Sequence, residues 1–482
     1  MININKKTKI VCTIGPASSS KEMLTKLIQN GMNLARLNFS HGDYEEHLGK
    51  LKTIRSFEKD GIYIPIILDT KGPEIRCHNM ENNLIQITKD STLRISMKEV
   101  LGTPSKISVN FPDLYNDVSI GNHIKIDDGK LDLLVTGKDE INKEIITVAQ
   151  NDHELASKKG VNCTGARLSM KFISDKDEQD LIWGCEHDVD FIAASFVRNK
   201  KDVEDIRKIL VEHGHPQIKI ISKIENCEAM DCLDEIIDAS DSIMVARGDL
   251  GVEVPFEEVP LVQRRLIREC RQKGKPVITA TQMLDSMTHS PTPTRAEVSD
   301  VATAVDESTD CVMLSAESAS GEYPAEAVLA QAKISRAIES ELDYETLAKE
   351  AYDTSNKDNN DALANSIANT AKLISAKLIV SYTESGNSSR RISKARPCCP
   401  ILSITNKKET ARQNALYWGI YSILIDTKMP DFIEDMECVA IFYAKKIGLK
   451  PGDVIVVSGG TPTGSGKTNF MRIITIPKER EL

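Results

Sequence analysis

Short runs of apolar and β-branched residues alternate along the chain with longer stretches whose apolar positions recur every three or four residues. The runs fall at 10–14, 33–39, 65–69, 191–197, 218–224, 243–247, 276–281 and 311–315. They are continuously apolar rather than alternating, as expected of parallel strands buried on both faces. Most are followed by helix signals. Ser18, Ser19 and Ser20 with Glu22 open one helix, and Gly31 lies past its end. Val259, Val262, Leu266 and Cys270 mark one face of another, and Gly274 follows it. Eight strand–helix units in order predict a (β/α)8 barrel.

One interval breaks the rhythm. From 77 to 167 helix signals nearly vanish and period-two alternation takes over, at 84–87, 107–109 and 124–126. Asp128-Gly129 sits between 124–127 and 130–134, a hairpin signal. The expectation is a small β domain inserted after the third barrel strand. Removing it leaves roughly 250 residues in 1–76 plus 168–342, the usual size of such a barrel. A polar stretch at 353–361 precedes a third block, 343–482, with a helix at 362–376 and strands at 378–381, 401–405, 421–425, 454–457 and 471–476. That block reads as an open-sheet α/β domain.

Composition narrows the function. The net charge of −10 argues against a nucleic-acid partner, and no apolar run is long enough to span a bilayer. Positions 1–7 lack the apolar core of a secretory signal. The eleven cysteines form no Cys-x-x-Cys pair, and Cys398-Cys399 are neighbours, poorly placed for an ordinary disulfide. With no His-Glu-x-x-His among nine histidines, a zinc site is not expected. These features predict a reduced, cytoplasmic protein.

Barrel enzymes act at the C-terminal ends of their strands, where the loops converge on one mouth. The polar residues there are Arg36, Asn38 and Ser40; Asp69, Thr70, Lys71 and Arg76; Ser195 and Arg198; Lys223 and Glu225; Arg247, Gly248 and Asp249; Thr281 and Gln282; Ser315 and Glu317. Glu225 and Asp249 suit Mg2+, which takes one or two carboxylates and completes its shell with water and substrate oxygens; they also suit a pair of salt-bridged acids. Lys223, emerging from an apolar strand, is either paired with a barrel carboxylate or reserved for an anionic substrate. Gly248-Asp249-Leu250-Gly251 is either a glycine turn or the start of a short helix whose N–H groups bind an anion. A ring of cations, Arg36, Arg76 and Lys223, beside a metal is what phosphoryl transfer requires. His41 either contacts a nucleotide or caps a loop. The string at 463–468 imitates a phosphate-binding loop, but position 461 is Thr where Gly is needed, and a strand rather than a helix is expected after it.

Nine ordered motifs closely resemble pyruvate kinase: TKIVCTIGPAS (8–18), NLARLNFSHG (33–42), LDTKGPEIR (68–76), KKGVN (158–162), IISKIEN (220–226), MVARGDLGVE (244–253), ATQMLDSM (280–287), PTRAEVSDV (293–301) and MLSAES (313–318). The similarity runs from residue 8 to about 342, with a weaker colinear match beyond. It implies transfer of the phosphoryl group of phosphoenolpyruvate to ADP, giving ATP and enolpyruvate, which is protonated to pyruvate. In that scheme Lys223 stabilises the transferring phosphoryl and the enolate, and Glu225 and Asp249 hold Mg2+ or Mn2+. The N–H groups of Gly248 and Asp249 with the Thr281 hydroxyl hold the substrate carboxylate, and Arg36 and Arg76 neutralise phosphate oxygens. Arg36, Asn38, His41 and Lys159 reach the nucleotide, Thr281 and Ser315 order the water that protonates the enolate, and the insertion is a small β-barrel lid. Asn38, Ser40, Asp69 and Thr70 match the family's K+ site, and Glu74 matches K+-dependent members. Asn162-Cys163-Thr164-Gly165 departs from the commoner Asn-Leu-Pro-Gly at the lid's return hinge.

The family is usually a homotetramer with a loop that binds phosphorylated effectors. Here that loop carries Thr383, Ser385, Gly386, Asn387 and Ser388, with Glu384 among them and 461–468 opposite; it reads either as an effector site or as an ordinary solvated loop. Two other functions compete: a Mg2+-dependent barrel lyase acting on pyruvate or oxaloacetate, and a non-catalytic binding descendant. The second would be expected to have lost some of Lys223, Glu225, Asp249 or Thr281, and all are present.

Overall fold

The computed structural model describes residues 4–461, 464, 466 and 468–478. Among them, eight parallel strands close into a barrel: Lys9–Thr13, Leu34–Asn38, Ile66–Asp69, Phe191–Ala194, Lys219–Ile224, Ser242–Ala246, Val277–Ala280 and Cys311–Leu314. Each coincides with one of the eight apolar runs. The helix signals work as local chemistry. The Ser20 hydroxyl accepts from the Met23 N–H to start Lys21–Asn30, and Gly31 ends it at φ +125°. In Val259–Lys273, Leu266, Ile267 and Cys270 face the strands, and Gly274 terminates the helix at φ +69°.

Two cores follow from that construction. One lies between strands and surrounding helices, and a smaller one fills the barrel with Val11, Leu34, Ile67, Phe191, Ile221 and Met244 among others. The filling means that the barrel is a solid support and chemistry is confined to its ends.

Residues of the inserted interval form a seven-stranded sheet running from Ile75–Arg76 to Lys106–Ser108, plus the pair Leu84–Ile87 and His153–Ala156, around a separate core. The two edges of the larger sheet meet at a bridge between Cys77 and Val109, flanked by hydrogen bonds from His78 N to the Ser108 carbonyl and from Asn110 N to the Arg76 carbonyl, rather than along a full ladder. A four-residue helix, Leu114–Asp117, interrupts the β pattern. The Asp128-Gly129 turn joins His123–Ile126 to Leu131–Asp139 as expected, with Asp127, Asp128 and Gly129 all at positive φ.

The last block holds five strands in the order Ile420–Leu424, Ile401–Thr405, Leu378–Tyr382, Val454–Gly459, Phe470–Thr475; only the last pairing is antiparallel. The helix expected at 362–376 begins earlier, at Asn359, because Asp358 caps it and accepts from Asp361 N. The block also has a helix the sequence pattern did not announce, Tyr344–Asp353. Of the 463–468 string, residues 463, 465 and 467 lie outside the described residues.

The block closes the N-terminal end of the barrel. Leu416 joins the barrel's inner core, and its carbonyl accepts from Cys311 Sγ at 3.1 Å. Buried Arg396 pairs with Asp310 at 2.8 Å, and Arg412 reaches Glu58 and Asp188. With that end sealed, the mouth is the accessible end. Among the described residues, no helix is long and apolar enough to cross a membrane.

Candidate active site at the barrel mouth

Parallel register brings the acids and bases together. Asn38 stands beside Asp69 on adjacent strands, and the strand carrying Lys223 lies one strand beyond Phe191–Ala194. Asp69 Oδ2 accepts from Arg36 Nε at 2.6 Å, and Arg36 Nη1 also donates to Thr13 Oγ1. Lys223 Nζ lies 2.7 Å from Ser195 Oγ, 3.2 Å from Asp69 Oδ1 and 3.0 Å from Glu225 Oε1. Ser195 Oγ in turn donates to the Thr70 carbonyl at 2.6 Å. The result is a buried chain of alternating charge: Arg36, Asp69, Lys223, Glu225.

Burial opposes the Lys223 charge, but Asp69 and Glu225 outweigh it and hold the ammonium above its usual range. Burial likewise opposes ionisation of Asp69, and Arg36 and Lys223 reverse this, leaving it below the usual carboxylate range. Glu225 differs. Burial, with the neighbouring Asp249 charge, pushes it up to about 7 against the pull of Lys223 and of the Phe196 N–H, 2.6 Å from Oε2. The Asp249 charge thus repels that of buried Glu225, a condition that a bound cation relieves. Among the described residues no cluster of three or more His, Cys, Asp or Glu could hold a metal. A two-carboxylate site suits an ion that takes its remaining oxygens from water and substrate.

The backbone here is strained in three places. Phe196, Thr281 and Gln282 have φ values of +56°, +69° and +54°, a region that bulky or β-branched residues rarely occupy. Thr281 is held there by Arg247, which donates to the Thr281 carbonyl at 2.8 Å and to the Ala280 carbonyl while pairing with Asp300. Arg247 is thus a positioning residue. Of the two readings of Gly248-Asp249-Leu250-Gly251, the short helix is realised, as Arg247–Glu253, but the Gly248 N–H points to Thr281 Oγ1 at 2.8 Å, so a ligand carboxylate would have to share or replace that bond. Ser315 N donates to Glu317 Oε2, and the other Glu317 oxygen accepts from Leu284 N, which ties the last two strand ends together.

Other predicted residues lie outside the chain of charges. Arg76 is held by both Glu74 oxygens along one guanidinium edge, Nη2 at 2.7 Å and Nε at 2.8 Å, and its Nη1 donates to the Lys158 carbonyl at the root of the insertion. In this conformation its charge is spent on Glu74. Lys159 pairs with Asp127 at 2.8 Å within the insertion. The His41 ring is exposed, and its carbonyl takes His47 Nε2; His47, stacked on Phe39, is the residue that fixes this loop. Asn38 Oδ1 accepts from Ser40 N, and Thr70 Oγ1 accepts from Ser195 N. Arg198 is taken up by Asp202 and the Leu168 and Met170 carbonyls.

Between insertion and barrel lies a cavity of about 200 Å³ bordered by Glu74, Asn162, Phe196, Asn226, Asp249 and Glu253. Two bonds cross beside it: Lys125 Nζ to the Val252 carbonyl at 2.6 Å and Asn162 Nδ2 to Glu253 Oε1 at 3.2 Å. The inserted sheet is therefore fastened to the helix that carries Gly248 and Asp249. In the C-terminal block, Thr383 Oγ1 accepts from Gly386 N, Gly386 has φ +86°, Ser388 and Thr468 hydroxyls are hydrogen-bonded, and Arg391 is committed to Asp358 and Asp361.

A filled eight-stranded barrel with a buried lysine, arginine and facing carboxylates at its mouth defines a barrel enzyme built for a charged, oxygen-rich substrate. Comparison with known families gives the particular one. Residues 5–328 match the family described as pyruvate kinase, barrel domain, and 361–474 match pyruvate kinase, alpha/beta domain. Relatives named pyruvate kinase are 48 % identical over 477 residues in Staphylococcus saprophyticus and 48 % over 476 in Geobacillus stearothermophilus, each match covering 98 % of this chain and 81 % of the relative. One from Bacillus licheniformis is 47 % identical over 473 residues, 98 % of this chain and 80 % of the relative. The chain belongs to the pyruvate kinase family, and it is a phosphotransferase.

Proposed function

We propose that the mouth takes phosphoenolpyruvate and ADP, moves the phosphoryl group onto ADP, and protonates the resulting enolate to pyruvate. The observation that carries this reading is Lys223, kept charged between Asp69 and Glu225 at the mouth with Arg36 behind Asp69. As the bridging C–O–P bond breaks, negative charge builds on the transferring oxygens and then on the enolate oxygen. A fixed ammonium stabilises both without reorganising. Arg36 adds charge beside the phosphoryl group. Thr281, held in its strained conformation by Arg247, presents its hydroxyl beside the Gly248 N–H to orient the substrate carboxylate and, with Ser315, the water that supplies the proton to carbon.

Glu225 and Asp249 would hold Mg2+ or Mn2+, which supplies charge neutralisation of substrate oxygens when bound. Their mutual repulsion in a buried setting fits them to that ion. Asn38, Ser40, Asp69 and Thr70 offer oxygen donors at two neighbouring strand ends for K+. Arg36, Asn38, His41 and Lys159 would serve the nucleotide, and Arg76 the phosphate oxygens, once the insertion moves, since Arg76 and Lys159 now spend their charges on Glu74 and Asp127. The insertion, 77–167, then acts as a lid between the 1–76 plus 168–342 barrel and solvent, excluding water that would take the phosphoryl group. Residues 343–482 form the regulatory unit, with Thr383, Ser385, Gly386, Asn387 and Ser388 receiving a phosphorylated activator, in a cytoplasmic homotetramer.

The test is pyruvate formation from phosphoenolpyruvate and ADP with Mg2+, with and without K+, for wild type and Lys223→Met. Turnover that needs both ions and collapses in the variant supports the reading. Equal turnover in Na+ or a bulky organic cation would remove the K+ assignment. No turnover by folded protein under any cation, even with sugar phosphates or AMP added, would favour the binding-protein alternative. Activation lost in Ser385→Glu, with basal turnover kept, would support the regulatory loop.

A further inference from the structure

The crevice where the sealed end of the barrel meets the helix Asn387–Lys394 gathers cations that the mouth chemistry does not use. Arg271 and Lys275 come from the end of Val259–Lys273 and the turn after it; Arg390, Lys394 and Arg396 come from the C-terminal block. A single carboxylate, Asp310, lines the crevice among these five. It is taken by Arg396 Nη1 at 2.8 Å, while Arg396 Nη2 donates to the Ser308 carbonyl. Glu350 touches Arg271 Nη2 at 3.2 Å from a site more than half exposed.

The remaining cations hydrogen-bond only to neutral groups, with Asp238 and Asp241 acting on Lys275, and Asp358 and Asp361 on Lys394, through their charge alone. Lys275 donates to the Ser240 carbonyl, Lys394 to the Thr354 carbonyl at 3.2 Å, and Arg390 Nε to Asn414 Oδ1 at 3.1 Å while its guanidinium lies over the Tyr417 ring. The Nε atoms of Arg271 and Arg396 are buried without a hydrogen-bond partner, and Arg396 is 3 % exposed. Burial, and then the charge of Arg396, push Arg271 down to about 10; burial also lowers Lys275 and Lys394. A buried charged donor left without an acceptor is costly, and an oxyanion with several lone pairs answers many such donors at once.

We propose that this crevice binds a phosphate-type oxyanion, held by Arg271 and Lys275 from the barrel and by Arg390, Lys394 and Arg396 from the C-terminal block. The ion bridges the two units at the end of the barrel opposite the mouth. Its residues are also distinct from the loop at 383–389, which precedes and opens the same helix. An anion that binds only the joined state adds to its stability by mass action.

Inorganic phosphate is the probe, titrated into the full chain by calorimetry and thermal melting against chloride at matched ionic strength. The expected result is a resolved binding event with a rise in Tm. In Arg390→Gln/Lys394→Gln the affinity of that event falls at least tenfold, and in the milder Lys275→Gln it falls three- to tenfold. Ser385→Glu and Lys223→Met, which alter the two other phosphate-binding places, leave it within twofold. A sugar phosphate that binds more tightly than inorganic phosphate, with the gain lost in the double variant, identifies a metabolite as the source; equal affinities identify free phosphate. Wild type that shows no binding beyond chloride overturns the proposal. So does a folded double variant, or a folded Lys275→Gln where the double variant does not fold, that binds phosphate as wild type does.

Discussion

The barrel buries a lysine at each end, and the two are satisfied by opposite means. At the mouth, Lys223 sits between two carboxylates and a serine hydroxyl, and its charge is reinforced. At the sealed end, fully buried Lys9 donates to the Ile420 carbonyl and lies over the Tyr421 ring at 3.5 Å, and burial with the nearby Lys6 charge drives it well below its usual range. The first arrangement keeps a full positive charge at the open end of the barrel, where an anion can use it. The second disperses a charge among neutral dipoles and a ring face, which suits a joint between units. Burial alone therefore does not mark a functional lysine; the partners decide.

That contrast breaks most sharply under substitution. Lys223→Met is expected to lower kcat by at least 10²–10³-fold, the usual loss for a transition-state donor, with the fold retained. Lys9→Met is expected to leave kcat within about threefold and to change Tm instead. Steady-state kinetics and melting on both variants check this, and equal kinetic losses would erase the distinction.

The next effect is structural. Arg412→Leu at the sealed end removes a buried guanidinium from Glu58, Asp188 and Asp190, while Arg55 still pairs with Asp190 and Glu58, and should cost about 1–3 kcal/mol of stability, read by denaturant unfolding. KM for phosphoenolpyruvate should stay within twofold.

A pH series sharpens the comparison further. Burial, only partly offset by Glu339, pushes Lys6 down to about 8 from 10.5. Between those values the unfolded chain holds a proton that the folded chain has released. Stability relative to Lys6→Met should therefore rise with pH across that window, by up to about 3 kcal/mol. Lys223 gives no such rise, because its folded value is raised rather than lowered. The smallest effect concerns the fastening of the insertion. Lys125→Met or Asn162→Leu removes one of two bonds to the helix carrying Asp249 and should raise KM for ADP about two- to fivefold with kcat little changed.

Much of this architecture was legible in the residues. The eight apolar runs were readable because parallel strands buried on both faces leave no alternation to confuse with a helix. The mouth was readable because each run ends on a polar residue. The partnering was hidden. Arg36 and Arg76 look alike in sequence, yet strand register gives one to Asp69 while the local Glu74 captures the other. Arg247 reads as a rim cation, and only the folded loop shows it braced on Asp300 to hold Thr281. Positive φ at Phe196, Thr281 and Gln282 has no sequence mark, since none is glycine. The helix Tyr344–Asp353 runs into the polar stretch at 353–361, and its start rests on one local cap, Asp343, which accepts from the Glu345 and Thr346 N–H groups.

Leu416, seated in the barrel's inner core, has a consequence for biosynthesis. As the chain leaves the ribosome, the first strand waits for the eighth, Cys311–Leu314, before the cylinder can shut. Even then its base stays uncovered until residue 416 and its neighbours have emerged. During that interval a nascent chain would present an open, oily ring beside unpaired Lys9, a surface suited to chaperone capture. Shortening the wait, by slowing nothing downstream of 314, would be a practical aim when the protein is produced in a foreign host.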